Sequence, residues 1–367
     1  MTNTDLSQDL PQDRPGPGLI GLAERGWLPD ALLRYGIRRQ CEDRLRAERA
    51  GGVDSQAARF RERIEDLRRS PLAIHTDAAN AQHYELPPAF FEHCLGRRLK
   101  YSCAYYPNGD ETLDQAEEAM LRFYDERAEL SDGQDILELG CGWGSLTLWM
   151  AERYPNARIV AVSNSRPQRE HIEARCRERG FDHVRIVTAD VNRLQLDPER
   201  FDRCVSIEMF EHMRNYERLL GNIASWLRPG GKLFVQIFAH ATLMYPFETD
   251  GERNWMGRHF FTGGLMPASD TLLWFQDALR IEQRWHIDGR HYERTANDWL
   301  RNQDAHRDAV LAVLSETHGP ERAHLWHHRW RMFWMACAEM FGYADGQEWR
   351  VAHYRFARPA PGTGDRS

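Results

Sequence analysis

The sequence predicts an α/β protein: a mainly parallel sheet wrapped by helices on both faces. From Gln134 onward, short apolar runs ("DILELG", "ARIVAVS", "VRIVTAD", "DRCVSIE", "KLFVQIF") alternate with helical stretches. That alternation builds parallel strands joined by crossover helices. The first run feeds a glycine loop, Gly140, Gly142 and Gly144, at the turn where such sheets bind ligands. With 42% hydrophobic residues and 12 Trp in 367 residues, the chain can fill a core of this size.

The segments follow in order. Residues 1–18 are polar and Pro/Gly-rich, which predicts a disordered tail and neither a signal nor a transit peptide. Residues 19–80 carry two charged helical patterns broken at Gly51-Gly52, a helical arm whose charges read mostly as a solvated face. The same arm is the candidate for a homodimer contact. Residues 81–131 turn aromatic, and Thr112 with Gln115 forms a T-x-x-Q capping box opening a helix. Residues 132–240 form the Rossmann-like core. Residues 241–345 read as a substrate lid, rich in Trp, Phe and His and helical after Ala296. Residues 346–358, "EWRVAHYRFAR" within them, read as a last strand closing the sheet edge, and 359–367 as a tail.

The formal charge of −7 argues against nucleic-acid binding, which needs neutralising cations. Seven scattered Cys without C-x-x-C read as reduced thiols in a cytoplasmic protein. No apolar run approaches the roughly 20 residues of a membrane span. His324, His327 and His328 have helical spacing, but no acid or Cys joins them, so no metal site is expected.

The loop reads G-x-G-x-G with Glu138 ahead of it, and no G-K-S/T follows, which excludes a nucleoside-triphosphate loop. A dinucleotide loop would place an acid at the end of strand two, where this chain offers Ser163, Asn164 and Gln168. Strand three ends at Asp190, which can accept from an adenine amino group. Ribose and adenine contacts without a pyrophosphate site suit S-adenosylmethionine.

The stretches "HYELP", "YSCAYY", "ELGCGWGSL" and "MFEHM" resemble the cyclopropane-fatty-acyl-phospholipid synthase superfamily of S-adenosylmethionine-dependent methyltransferases. "SIEMFEHM", "FFTGGLMPASDTLLWFQD" and "ACAEMFGYADGQEWRVAHY" are most similar to its coclaurine N-methyltransferase-like branch. The resemblance runs from about His83 to Phe356. It implies a Rossmann-like class I methyltransferase fold with a helical substrate cover. It also implies cofactor contacts from Tyr101, Ser102, Glu138, Gly140, Gly142, Ser163, Asn164, Gln168, Asp190 and Val191. Tyr84, Phe261, Tyr292, Trp330 and Phe333 are the implied substrate residues.

The superfamily offers two chemistries. Its synthases methylate an acyl-chain alkene and, the resemblance implies, use a bicarbonate base held at the positions of Cys103, Glu211, Tyr292 and Gln236, the last being His in the synthases. The lipid enzymes usually have Gly where this chain has Glu208. An unpaired carboxylate against a hydrocarbon costs several kcal/mol, roughly, whereas against an ammonium it is favourable. Glu208 and Glu211 are therefore expected to orient a cationic amine, with His212 as proton acceptor or relay. The expected activity is N-methylation of a small amine, benzylisoquinoline- or tetrahydroisoquinoline-like. The alternative is methylation of unsaturated acyl chains, which alone would bring peripheral membrane contact.

Overall fold

The computed structural model describes residues 14–74, 86–251 and 254–360. The tail expected over the first thirteen residues, Tyr84, and the end of the C-terminal tail lie outside them. Nine strands are present among these residues: β1 Asp135–Leu139, β2 Arg158–Ser163, β3 Val184–Thr188, β4 Phe201–Ile207, β5 Leu227–His240, the short β6 Tyr245–Pro246 and β7 Leu265–Met266, β8 Arg280–Ile287 and β9 Trp349–Ala357. Seven form one sheet in the order β3-β2-β1-β4-β5-β9-β8, while β6 and β7 pair separately. The first five are parallel, and β9 and β8 add on antiparallel.

The last strand does not close the edge. It lies between β5 and β8, and β8 is the edge, within a region expected to be lid. The sequence "RIEQRWHI" hides that strand because an edge strand leaves most of its residues in solvent, so no apolar run marks it.

Helices cover both faces, numbered α1 Gly18–Glu24, α2 Asp30–Glu48, α3 Gly52–Arg69, α4 Pro88–Cys94, α5 Leu113–Ala128, α6 Ser145–Arg153, α7 Arg166–Arg179, α8 Tyr216–Trp226, α9 Trp255–His259, α10 Gly289–Ala305, α11 Arg307–His318 and α12 Pro320–Gly342. Strand alternation splits the core. Ile136, Phe234 and Phe238 pack with α5, α10 and α12, while Leu137, Val235 and Ile237 pack with α3 and α8. The capping box forms as expected: Gln115 N donates to Thr112 Oγ1 at 3.3 Å and Thr112 N to Gln115 Oε1 at 2.9 Å. All seven cysteines are buried and reduced. Among the described residues, no helix is long and apolar enough to cross a membrane.

The arm is less solvated than its charges suggest. Arg34 and Arg38 both bond Glu339 of α12, Arg331 of α12 bonds Asp30, and Arg49 bonds Glu348. Beneath them Glu24 of α1 and Arg329 of α12 form an ion pair at 2.9 Å, each about 1% exposed. Trp255 Nε1 donates to the same carboxylate at 2.9 Å, and the backbone N–H of Gly16 at 2.6 Å. Arg329→Met leaves Glu24 charged and buried without its guanidinium. We expect a loss of about 3–5 kcal/mol in denaturant unfolding, most of it recovered by adding Glu24→Gln.

Candidate active site

The strand order reverses at β1, whose neighbours are β2 and β4, and ligands bind such sheets at the carboxyl ends beside the reversal. The glycine loop follows β1 there, and Glu208 follows β4. They open onto a cavity of about 1260 Å³ lined by all ten residues expected at the cofactor. Gly140 sits at φ +82°, and a Cβ on it would stand 2.8 Å from Met209. Gly142, at φ +51°, faces open space with no protein atom within 4 Å of a built Cβ. A ligand can therefore approach the backbone of Gly142 closely.

The polar groups of this cavity suit S-adenosylmethionine. Ser163 Oγ donates to Gln168 Oε1 at 2.7 Å, which leaves the amide nitrogen of Gln168 buried without a partner. Trp143 Nε1 is likewise unpaired. Asp190 receives two bonds from Asn192 through one oxygen, leaving the other for a ligand. Glu138 accepts from Thr147 at 2.5 Å, and burial pushes its carboxyl up to about 8. Lys100 is the only Lys or Arg among the described lining residues.

A second cavity of about 670 Å³ shares Tyr101, Glu208 and His212 with the first. Phe238, Phe247, Met256, Phe261, Phe333 and Phe341 form much of its wall, and Tyr292 also lines it. Trp330 does not. It is 1% exposed and packs behind the wall against Phe90, Phe260 and Trp334 at ring distances of 4.7–5.0 Å. Its helical spacing marked it as buried but could not say on which side of Phe333.

Glu208 stands at the junction of the two cavities with φ +49°, in the left-handed region that favours glycine. Its carboxylate is not unpartnered, as the sequence suggested it would be without a substrate cation. Oε1 accepts from Cys103 N at 3.1 Å and Gln236 Nε2 at 2.8 Å, and Oε2 accepts from Tyr292 Oη at 2.7 Å. Lys100, 2% exposed, adds a positive charge through space while donating to Ser102 Oγ at 2.6 Å and Cys103 O at 2.5 Å. Burial raises the Glu208 carboxyl above its usual range, and Lys100 is the main opposing influence. Burial in turn lowers Lys100 to about 8.

Glu211 lines neither cavity. It lies behind Glu208, accepting from Phe238 N at 2.6 Å, with Oε2 buried and unbonded. Burial, then the charge of Glu208, holds it well above the usual carboxylate range, so the two acids disfavour ionising together. His212 lines both cavities, its ring 4.6 Å from that of Phe261. Burial lowers it to about 4, so the imidazole is neutral at working pH.

Sequence reasoning missed Lys100 and Tyr124. Lys100 closes the basic run "RRLK", which reads as surface, and Tyr124 lies mid-helix with an ordinary apolar spacing. The only signal for Lys100 was its place next to "YSC". Among the described residues no group of three His, Cys, Asp or Glu could hold a metal ion; His327 is 2% exposed, and its carbonyl accepts from Gln303.

Comparison with known proteins agrees with this geometry. The family model described as mycolic acid cyclopropane synthetase matches residues 73–349. The (S)-coclaurine N-methyltransferase of Thalictrum flavum subsp. glaucum is 36% identical over 93% of this chain and 95% of its own. The cyclopropane-fatty-acyl-phospholipid synthase of Escherichia coli strain K12 is 30% identical over 75% of this chain and 67% of its own. A crystal structure of coclaurine N-methyltransferase bound to N-methylheliamine and SAH superposes with a TM-score of 0.88, covering 91% of this chain and 97% of that one at 36% identity. A glycine loop without a pyrophosphate site, an acid pair after β4 and the match over residues 73–349 converge: the chain belongs to the mycolic acid cyclopropane synthetase family, a family of methyltransferases.

Proposed function

We propose that the protein is an S-adenosylmethionine-dependent N-methyltransferase of the cytoplasm whose acceptor is a small aromatic amine of the tetrahydroisoquinoline type. The observation that carries this is the buried Glu208 carboxyl group, met by three hydrogen-bond donors and faced by Lys100 where the cofactor cavity meets an aromatic pocket. A negative charge there attracts an ammonium and disfavours an apolar chain. The cofactor, when bound, supplies a methyl group on a sulfonium whose leaving group is a neutral thioether.

The chain's own residues account for the rest. Glu208 holds the acceptor nitrogen electrostatically, and Phe261, Phe333 and Phe341 enclose its aromatic body and offer ring faces to the cation, worth ~0.5–2 kcal/mol each. Only a free lone pair can attack a methyl group, so the ammonium must lose its proton. His212, which lines both cavities, is placed to relay that proton, and burial, which lowers its imidazole to about 4, keeps it from retaining the proton. Holding nitrogen in line is worth up to roughly 7–11 kcal/mol of the barrier.

Glu208 also bears on the acyl-chain alternative. Cys103, Tyr292 and Gln236, which the family resemblance assigns to a bicarbonate ion, direct their hydrogens to Glu208 instead. A site whose donors are already taken by a tethered carboxylate has little with which to bind a diffusible one. A glutamate at φ +49° costs about 1 kcal/mol that glycine would avoid, and strain of this kind gathers at functional sites.

The test is methyl transfer from labelled S-adenosylmethionine to tetrahydroisoquinoline amines and, in parallel, to unsaturated phospholipid vesicles. We expect label in the amine fraction alone; label in the lipid as a cyclopropane or branched methyl would overturn the reading. Glu208→Gly relieves about 1 kcal/mol of left-handed strain but leaves Gln236, Tyr292 and Lys100 without the carboxylate they face, so it should lower Tm. It should lose about 3 kcal/mol of transition-state binding, about a hundredfold in kcat/KM for the amine. Phe333→Ala should raise KM for the amine more than it lowers kcat, since an apolar wall binds ground and transition states alike.

A further inference from the structure

We infer that Gln236, His353, Arg127 and Tyr124 form a positioning chain that fixes the Glu208 carboxylate toward the acceptor, an inference that rests on the amine reading above. None of them meets the acceptor. Their effect passes through one amide.

The register of the sheet lays the chain out in a row. Ile207, the last residue of β4, pairs with Gln236 on β5, and Gln236 pairs with His353 on β9. The backbone N–H of Glu208 extends the ladder by donating to Gln236 O at 2.9 Å. Tyr124 and Arg127, three residues apart on α5, lie on one side of that helix above the row. Gln236 and His353 are fully buried and Tyr124 is nearly so.

Proton bookkeeping leaves one arrangement. A guanidinium has hydrogens to give and no lone pair to offer, so Arg127, 2.7 Å from His353 Nδ1, makes that nitrogen an acceptor. The ring proton therefore sits on Nε2, which donates to Gln236 Oε1 at 2.7 Å. Tyr124 Oη donates to the same oxygen at 2.8 Å. With two donors on its carbonyl, the amide of Gln236 cannot turn over. A reversed amide would set its NH2 against both donors and its oxygen against a carboxylate. Its Nε2 is thus committed to Glu208 Oε1. Burial and the charge of Arg127 hold His353 well below the usual histidine range, so it stays neutral and keeps this tautomer.

The ionisation of Glu208 depends on everything that faces it. Lys100 and Cys103 come from the segment before α5, Tyr124 from α5, Glu211 and His212 from the turn after β4, Tyr292 from α10 and Cys337 from α12. Of these, Lys100, Tyr292 and the Cys103 N–H favour the carboxylate, as does Gln236. Removing one donor raises the Glu208 pKa. Activity that needs the ionised form is lost as pH falls through that value, so the acid limb moves to higher pH.

The experiment uses the full chain with His353→Leu, which removes the Nε2 donor, and His353→Gln, whose amide nitrogen can replace it. The readouts are kcat and KM for tetrahydroisoquinoline across pH, affinity for S-adenosylhomocysteine and Tm. We expect His353→Leu to raise the KM about tenfold, to move the acid limb of kcat/KM up by about one pH unit, and to leave S-adenosylhomocysteine affinity unchanged. His353→Gln should restore most of both. A lower Tm with an unmoved acid limb would overturn the inference, leaving His353 a packing residue. Should His353→Leu fail to fold, Tyr124→Phe must shift the limb in the same direction by a smaller amount, and an unmoved limb there overturns it too. Amine turnover with unshifted variants sinks the positioning chain alone, whereas a parent enzyme that methylates no amine sinks it together with the reading beneath it.

Discussion

An ionised carboxylate survives inside a protein only where donors and a counter-charge meet it, and the acceptor side of this molecule is organised around that requirement at Glu208. The support comes from four separate stretches: Lys100 and the backbone N–H of Cys103 before α5, Gln236 on β5, Tyr292 on α10 and, one step removed, His353 on β9. The parallel sheet supplies the position, because the carboxyl ends of β1 and β4 place the glycine loop and Glu208 on either side of one opening. The antiparallel addition of β9 supplies the support. Neither part alone holds the charge.

The family resemblance gains physical content from this arrangement. The proposed reading makes the acceptor depend on what fills the cradle of Cys103, Gln236 and Tyr292. Here the chain's own side chain fills the donor cradle. Glu211 lies behind the wall, its carboxyl held well above the usual range by burial and the charge of Glu208, while His212, lowered by burial, faces both cavities. Three titratable groups within five residues are thus each shifted from their ordinary range, chiefly by burial, with Lys100 opposing it at Glu208.

Much of this was legible in the sequence. The glycine loop and strand ends specified the cofactor cavity because each is a local signal: a turn that needs positive φ, or a polar residue closing an apolar run. "EMFEH" marked the site for the same reason. What escaped was set by register and side-chain direction. That Gln236 faces Tyr124 and His353 follows from the pairing of β5 with a strand more than a hundred residues later, and no local pattern encodes it. The edge strand β8 escaped because "RIEQRWHI" is mostly solvated, and Trp330 because helical spacing says that a residue is buried without saying behind what. The charges of the N-terminal arm read as solvated, yet the Glu24–Arg329 pair is buried, joining segments about three hundred residues apart.

The place of β9 in the sheet has a consequence for the order in which the protein can become active. Every residue lining the cofactor cavity lies at or before Gly263, and every residue lining the aromatic cavity at or before Phe341. A chain emerging from the ribosome therefore holds both cavity walls before Trp349 appears. Only then can β9 slide between β5 and β8 and bring His353 to Gln236. The nascent protein can own the described lining side chains while the carboxyl of Glu208 still lacks the support of His353, so competence waits for β9.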